Sequence, residues 1–323
     1  MKALCVFSGG LDSMLASSIV RAQGIMVQAL FFETPFFSPE RAKKSAAEIR
    51  LPLKVVDITE RHLEIVRNPK HGYGENMNPC IDCHALMIRC AGELLEGEGA
   101  NFIITGEVLG QRPMSQNRKA LDIVEAESEC GGILLRPLSA KRLPMTTPER
   151  EGWVDRERLL NLSGRSRKPQ MALAEKFGIK DYPSPAGGCL LTDKGFSNRL
   201  KDLFTDSDEV DVREIELLKV GRHFRVSPGI KFIVGRNQRE NQAIQNLATP
   251  GDLILKSTSC PGPTVLAPGD LPGEAVTLAA SLAASYSDVD EGGEAEIRIE
   301  GRGKNSVVSA RARKKEEFKN YLI

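Results

Sequence analysis

Apolar runs and amphipathic stripes alternate through the first half of the chain. Buried-strand patterns at Ala3–Phe7, Met26–Phe32, Leu53–Val56 and Asn101–Thr105 are separated by helical patterns at Ser13–Gln23, Ser38–Arg50 and Cys83–Leu95. Short continuous apolar runs joined by helix-length crossovers predict parallel strands covered on both faces. The expected class is therefore α/β, with a doubly wound, mostly parallel sheet. Gly131–Leu138 predicts a further short strand and loop. Thr147–Phe177 predicts helix, interrupted at Gly164 and Pro169, and the acidic stretch after Leu200 predicts a connection. From about Gly221 the elements shorten. His223–Val226, Lys231–Val234, Asp252–Lys256 and Glu294–Glu300 predict strands, and an Ala-rich stretch, Glu274–Tyr286, predicts one helix. This is expected to be a smaller C-terminal α+β domain. The expected domains are residues 1–205 and 215–323, and a chain of 323 residues has room for two.

Ligands of open α/β sheets bind outside the carboxyl ends of the strands. Ser8-Gly9-Gly10-Leu11-Asp12-Ser13 falls at that end of the first strand, where a tight turn opens a helix. Glycines let backbone approach a phosphate, and the free N–H groups of the helix's first turn point at it, assisted by the helix dipole. Ser8 and Ser13 add hydroxyl donors. No G-x-x-x-x-G-K-[ST] occurs, so this is not a Walker loop. Glu33-Thr34-Pro35 and Gly106-Glu107, after the second and fourth strands, are expected to face the same crevice.

Hydrophobic residues make up 41% of the chain and net charge is +1, so composition announces no nucleic-acid binder. Charge is nonetheless uneven. Arg136–Lys168 carries nine Lys/Arg against four Asp/Glu, and Arg298–Lys319 carries eight against three. Both are most simply solvated faces, or local RNA surfaces. No signal-peptide core and no apolar run of membrane-spanning length appears, so a cytoplasmic protein with no membrane partner is expected.

Seven cysteines without a secretory signal favour metal or catalytic use over disulfides. Cys80-Ile81-Asp82-Cys83 opens a helix, and Cys189 follows Ser184-Pro185-Ala186-Gly187-Gly188. Zinc, a redox dithiol that relays a persulfide, and an iron–sulfur cluster all remain open for these three. His84 or His71 would supply a fourth zinc ligand. Three thiolates without a fourth ligand suit a cluster with one open iron. Cys5 and Cys90 read as core packing, and Cys130 and Cys260 as loop residues.

Ser8–Ser13 resembles the PP-loop of the N-type ATP pyrophosphatases. Together with Thr105-Gly106-Glu107-Val108-Leu109-Gly110-Gln111, Ser115-Gln116 and Leu135-Arg136-Pro137-Leu138, it resembles the pyrophosphatase domain of ThiI-type tRNA 4-thiouridine synthetases. Tyr182–Asp193 is similar to the wider group of tRNA thiolation proteins. The resemblance covers roughly residues 1–200 and implies an ATP-dependent tRNA sulfurtransferase that adenylates a uracil carbonyl oxygen and then admits sulfur. Ser8, Gly9, Gly10, Leu11, Asp12, Ser13, Gly106 and Gln111 would bind ATP, with Asp12 orienting the loop or a Mg²⁺. Glu107 would contact nucleotide or base. Cys80, Cys83 and Cys189 would hold a [4Fe–4S] cluster, with zinc as the alternative. Without a cluster, Cys189 is the expected persulfide-bearing nucleophile.

The implied partners are tRNA and a sulfur donor, either free sulfide or a persulfide carrier, and a homodimer stays open. Alternative readings are 2-thiouridine synthesis of the MnmA type, an amide-forming PP-loop enzyme, and a non-catalytic RNA-binding cluster protein. Phe232–Asn241 and Ala279–Ser287 are similar to the NFACT-R family, a proposed RNA-binding domain. Here Cys260-Pro261-Gly262-Pro263 replaces that family's Gly-Ser-His run. No THUMP segment precedes the PP-loop strand and no rhodanese-like segment follows, so RNA capture and sulfur delivery are expected to be arranged differently.

Overall fold

A computed structural model describes residues 1–184, 189–301 and 303–323, with the backbone alone at Lys304. The chain separates into two compact units, Met1–Thr192 and Asp193–Ile323.

The first unit runs β1 (Lys2–Val6), α1 (Leu11–Arg21), β2 (Met26–Glu33), α2 (Glu40–Glu48), β3 (Leu53–Asp57), α3 (Thr59–Arg67), α4 (Cys80–Glu93), β4 (Phe102–Thr105), α5 (Arg118–Ser128), β5 (Leu134–Leu135), α6 (Thr147–Arg150) and α7 (Lys168–Lys176). Its five strands are parallel in the order β3-β2-β1-β4-β5. The side-chain alternation of a strand explains why both faces are apolar. Ala3, Cys5, Phe102 and Ile104 pack with Leu15, Ala42 and Ala174. Leu4 and Ile103, one step along, pack on the other face with Leu86, Ile88 and Val124. The sheet is doubly wound, as expected. Strand order reverses between β1 and β4, so a crevice opens beyond Val6 and Thr105, which are paired in register.

Thr147–Phe177 is not one helix. After α6 the chain makes left-handed turns at Gly152 and Gly164, and regular helix resumes only at Lys168. Ser139 Oγ donates to Leu162 O and accepts from Leu109 N, fastening this irregular segment to the loop after β4.

The second unit comprises α8 (Lys194–Asp206), α9 (Val212–Leu218), β6 (Arg222–Ser227), β7 (Ile230–Val234), α10 (Gln238–Leu247), β8 (Asp252–Ser257), β9 (Val265–Pro268), α11 (Gly273–Ser285), β10 (Glu294–Gly301) and β11 (Lys304–Arg311). The six strands form an antiparallel sheet, β11-β10-β8-β9-β7-β6. Ala279, Leu282 and Ala283 of α11 pack on Phe224, Phe232 and Ile297. The acidic stretch expected as a connection is largely helical. Asp193 and Asp211 cap α8 and α9 through their side chains, and Arg225 pairs with Asp202 and Asp206. No helix among the described residues is long and apolar enough to cross a membrane.

Candidate functional site

The turn after β1 lies at the switch point. Gly10, in extended backbone, starts α1 with no side-chain cap. The first-turn N–H groups therefore have no capping side chain to satisfy them. Gly9 has a φ of +71°, and a Cβ there would lie 2.8 Å from Ala42 Cα, so only glycine fits. Ser45 Oγ donates to Gly9 O at 2.7 Å and fixes the turn against α2. Gly10 N donates to Ser8 Oγ at 3.3 Å, and Ser13 Oγ donates back to Gly10 O at 2.8 Å. Ser8 is exposed, whereas Leu11 and Ser13 are buried.

Gly106 brings the loop after β4 onto this helix start. A Cβ at Gly106 would stand 2.5 Å from Ser13 N. Gln111 Nε2 then donates to Asp12 Oδ2 at 2.7 Å, and Gln170 Nε2 donates to Gln111 Oε1 at 3.0 Å. Asp12 Oδ1 is buried without a hydrogen-bond partner. Ser8–Ser13, Gly106 and Gln111 thus gather in one crevice.

Glu107 sits behind that crevice. It is 5% exposed, and its carboxylate accepts from Arg136 Nε at 2.9 Å, His84 Nδ1 at 2.8 Å and Thr105 Oγ1 at 3.1 Å. Burial alone would raise its pKa, but Arg136 and His84 outweigh it and hold the group at about 2. Its oxygens are committed to these partners, so the residue positions the loop rather than facing a nucleotide. Arg136, the first residue of the basic stretch, is likewise consumed by Glu107 and Glu125, and Arg156 pairs with Glu149.

All seven cysteines are free. Cys80 and Cys83 occupy the first turn of α4. Met77 N donates to Leu191 O at 3.2 Å and Asn76 Nδ2 to Thr192 O at 2.6 Å, which docks the Cys189–Thr192 segment beside that turn. The three thiols lie in one another's field. The pKa of Cys83 is driven well above normal by burial first, then by Cys189 and Cys80. Cys189 is pushed up to about 11, again chiefly by burial. Cys80 is raised by burial, with Arg112 opposing. Among the described residues no three His, Cys, Asp or Glu side chains converge closely enough to hold a single metal ion. The donor set itself, three thiols from two segments, suits a thiophilic cluster. Pro185–Gly188, read as the turn presenting Cys189, lie outside the described residues.

The imidazole at the cysteines is not one of those expected. His84 is engaged by Glu107, and His71 Nε2 lies 3.3 Å from Glu127 Oε1. His62 Nε2 instead lies 3.3 Å from Cys83 Sγ, with the ring fully buried between Phe36 and Phe37. Nothing in the spacing marked His62, which lies twenty-one residues before Cys83. Arg41 and Gln170 also escaped notice, and Arg112 and Arg167 were visible only as neighbours of Gln111 and as part of a basic run. Cys5, Cys90 and Cys130 are buried core residues, Cys130 included although it follows a helix end.

A glycine turn at the switch point of a parallel sheet, opposed by a second loop, gives this α/β domain a geometry suited to an anion. Residues 1–142 match the model of the family described as thiamine biosynthesis protein (ThiI), and residues 221–322 match that of the NFACT protein RNA binding domain. Both resemblances read from the sequence therefore hold. A probable tRNA sulfurtransferase of Thermoanaerobacter sp. (strain X514) is 31% identical over 136 residues, which cover 39% of this chain and 34% of that protein. One from Anoxybacillus flavithermus (strain DSM 21510 / WK1) is 29% identical over 146 residues, 42% of this chain and 35% of the relative. The chain thus spans about a third of the length of these curated relatives. A solved 4-thiouridine synthetase–RNA complex with bound ATP is 21% identical, covering 55% of this chain and 51% of that one, with a TM-score of 0.36.

Proposed function

We propose that the chain is an ATP-dependent tRNA sulfurtransferase that makes a thiouridine, 4-thiouridine in the first instance. The observation that carries this reading is the meeting of two chemistries. One compact unit holds a phosphate-type turn after β1, closed over by the loop after β4, and three free thiols that lie in one another's field, two of them at the start of α4, the helix that leads into β4. An amide-forming enzyme needs the first and has no use for the second.

The uracil oxygen is a poor leaving group. Its attack on the α-phosphorus of ATP expels pyrophosphate and makes the oxygen part of an adenylate. Sulfur then adds at the ring carbon, and AMP departs with that oxygen. The N–H groups of α1, with Ser8 and Ser13, would receive the charge that develops on pyrophosphate. Asp12 would use its free Oδ1 for a Mg²⁺ or the loop, held by Gln111. Cys80, Cys83 and Cys189 would hold the [4Fe–4S] cluster, which when bound supplies an open iron for sulfide. With no cluster, Cys189 would take the sulfur as a persulfide from a persulfide carrier. Once its outer sulfur has displaced AMP, Cys80 or Cys83 would attack Cys189 Sγ, freeing the thiouridine and closing a disulfide that an external thiol reductant reopens. The second unit would hold tRNA.

Nucleoside analysis of tRNA from cells with and without the gene tests the reading. The expected result is loss of one thiouridine, and an unchanged profile would overturn it. The ligand set is tested by iron content after anaerobic purification. Cys80→Ala, Cys83→Ala and Cys189→Ala are expected to lose iron and visible absorbance, whereas Cys90→Ala keeps both. Full iron in Cys189→Ala would leave that residue a catalytic thiol at most.

A further inference from the structure

Arg41 stands at the Gly9–Gly10 turn, and Arg112 and Arg167, from two other segments, lie within its electrostatic reach. Arg41 is the second residue of α2, and its Nη2 stands 3.9 Å from where a Gly10 Cβ would be. Arg112 follows Gln111, whose amide donates to Asp12 at 2.7 Å. Arg167 immediately precedes α7, three residues before Gln170, which donates to Gln111 at 3.0 Å. Gly164 N also donates to Leu109 O at 2.8 Å, so the segment carrying Arg167 is fastened to the loop carrying Arg112. The Gln170–Gln111–Asp12 relay therefore fixes both loops to the start of α1.

These guanidiniums differ from the paired arginines of this unit. Arg61, Arg118, Arg136 and Arg156 each pair with a carboxylate. Arg41, Arg112 and Arg167 have neither a carboxylate partner nor a side-chain hydrogen bond among the described residues, and Arg167 Nε is buried without one. The Arg41 guanidinium is held below its ordinary pKa, by burial first and then by the charges of Arg167 and Arg112. Like charges gathered without a counterion are unfavourable, and an anion would reverse the sign of that interaction.

We propose that Arg41, Arg112 and Arg167, all outside the Ser8–Ser13 motif, form a site for a compact, multiply charged phosphate chain: the pyrophosphate end of a nucleoside triphosphate, retained after the α-phosphorus has been transferred. The proposal rests on the ATP-dependent reading above and names the residues that balance the charge of its leaving group. Three forked guanidiniums within one another's field, one of them at the turn, match pyrophosphate, which carries several charges on two phosphorus atoms and accepts bidentate hydrogen bonds. An RNA strand spreads single charges along its backbone and calls for a stripe of cations instead.

Calorimetric titration of the full chain with inorganic pyrophosphate, orthophosphate and a single-stranded RNA oligonucleotide tests this. Wild-type protein is expected to bind pyrophosphate well ahead of orthophosphate. Arg41→Ala, Arg112→Ala and Arg167→Ala are each expected to weaken pyrophosphate roughly tenfold or more while leaving RNA affinity unchanged. Arg112→Lys, which keeps the charge and loses the fork, is expected to fall between. Circular dichroism and a melting curve check that each variant is folded. Wild-type protein without pyrophosphate affinity, or variants that bind it as wild type does, would overturn the proposal. Variants that lose RNA and keep pyrophosphate would overturn it in favour of a polynucleotide site. Unchanged tRNA nucleosides in the deletion strain, alongside pyrophosphate binding that depends on the arginines, would remove the thiolation reading and leave this site standing.

Discussion

Glu107 keeps its charge inside the protein because three donors meet it there. Arg136 alone would balance the carboxylate, and His84 and Thr105 complete its coordination. Its folded pKa of about 2 lies below the ordinary 4.5. The unfolded chain therefore binds the proton more readily, and the stability this group contributes is present above about pH 4.5 and is lost as pH falls through the folded value. Chemical denaturation of wild type and Glu107→Gln at several pH values checks this. At pH 7 the variant is expected to be less stable by about 3 kcal/mol, since Arg136 is left buried without its charge partner. Between pH 4.5 and 2 its stability is expected to vary less than that of wild type. Equal stabilities at pH 7 would show that the ion pair holds nothing in place. Asp12 is the opposite case, a carboxylate with one oxygen unspent. On the proposed function, Asp12→Ala is expected to keep the fold and any iron the wild type holds, and to lose about 3 kcal/mol of transition-state stabilisation in the proposed adenylation, read by ATP–pyrophosphate exchange.

Elements place these residues by close approach of backbone. At Gly106 a Cβ would meet Asp12 C at 2.6 Å and Ser13 N at 2.5 Å, both main-chain atoms that a side-chain rotamer cannot relieve. Gly106→Ala is therefore expected to destabilise the first unit by about 2 kcal/mol or more and to weaken nucleotide binding, while Gly131→Ala, with nothing near it, does neither. Thermal melts with and without ATP separate the two. The turn itself was legible in the sequence because local signals agreed: an apolar strand, two glycines and a helical stripe within twenty residues. The three cysteines were legible as a set through C-x-x-C spacing and a Gly-rich approach to Cys189. His62 and Arg41 were not, because their meaning comes from segments the sheet folds together, and neither α2 nor α3 advertises what its N-terminal turn will face. The helix expected through Thr147–Phe177 failed for the converse reason. Its apolar residues, among them Val154 and Leu159, are buried from irregular backbone, so burial alone mimicked a helical stripe.

At the scale of the whole molecule, the tRNA proposed as substrate would require cationic surface, and net charge near neutrality says that such surface must be local. In the first unit much of the basic stretch is spent internally, on Glu107, Glu125, Glu149 and Glu157. The second unit retains more. Arg313 is exposed, and Arg222 and Lys315 lie 5.1 and 5.4 Å from the centre of the Tyr286 ring. A basic rim beside an aromatic face suits contact with phosphate and base together. Arg302 and the Lys304 side chain, counted in the basic run from sequence, lie outside the described residues. The expectation is that the second unit supplies much of the affinity for tRNA through phosphate contacts. Arg313→Ala and Lys315→Ala in the full chain are each expected to weaken tRNA binding while leaving ATP binding unchanged. In a plot of log affinity against log salt, each is expected to reduce the slope by roughly 0.7 to 0.9, the counterions of one phosphate. Filter binding over a series of salt concentrations gives both numbers. Weaker binding with an unchanged slope would mean that these residues shape the domain rather than touch RNA. Unchanged affinity in both variants would return the tRNA site to the cations of the first unit that remain exposed, Arg142, Arg165 and Lys168 among them.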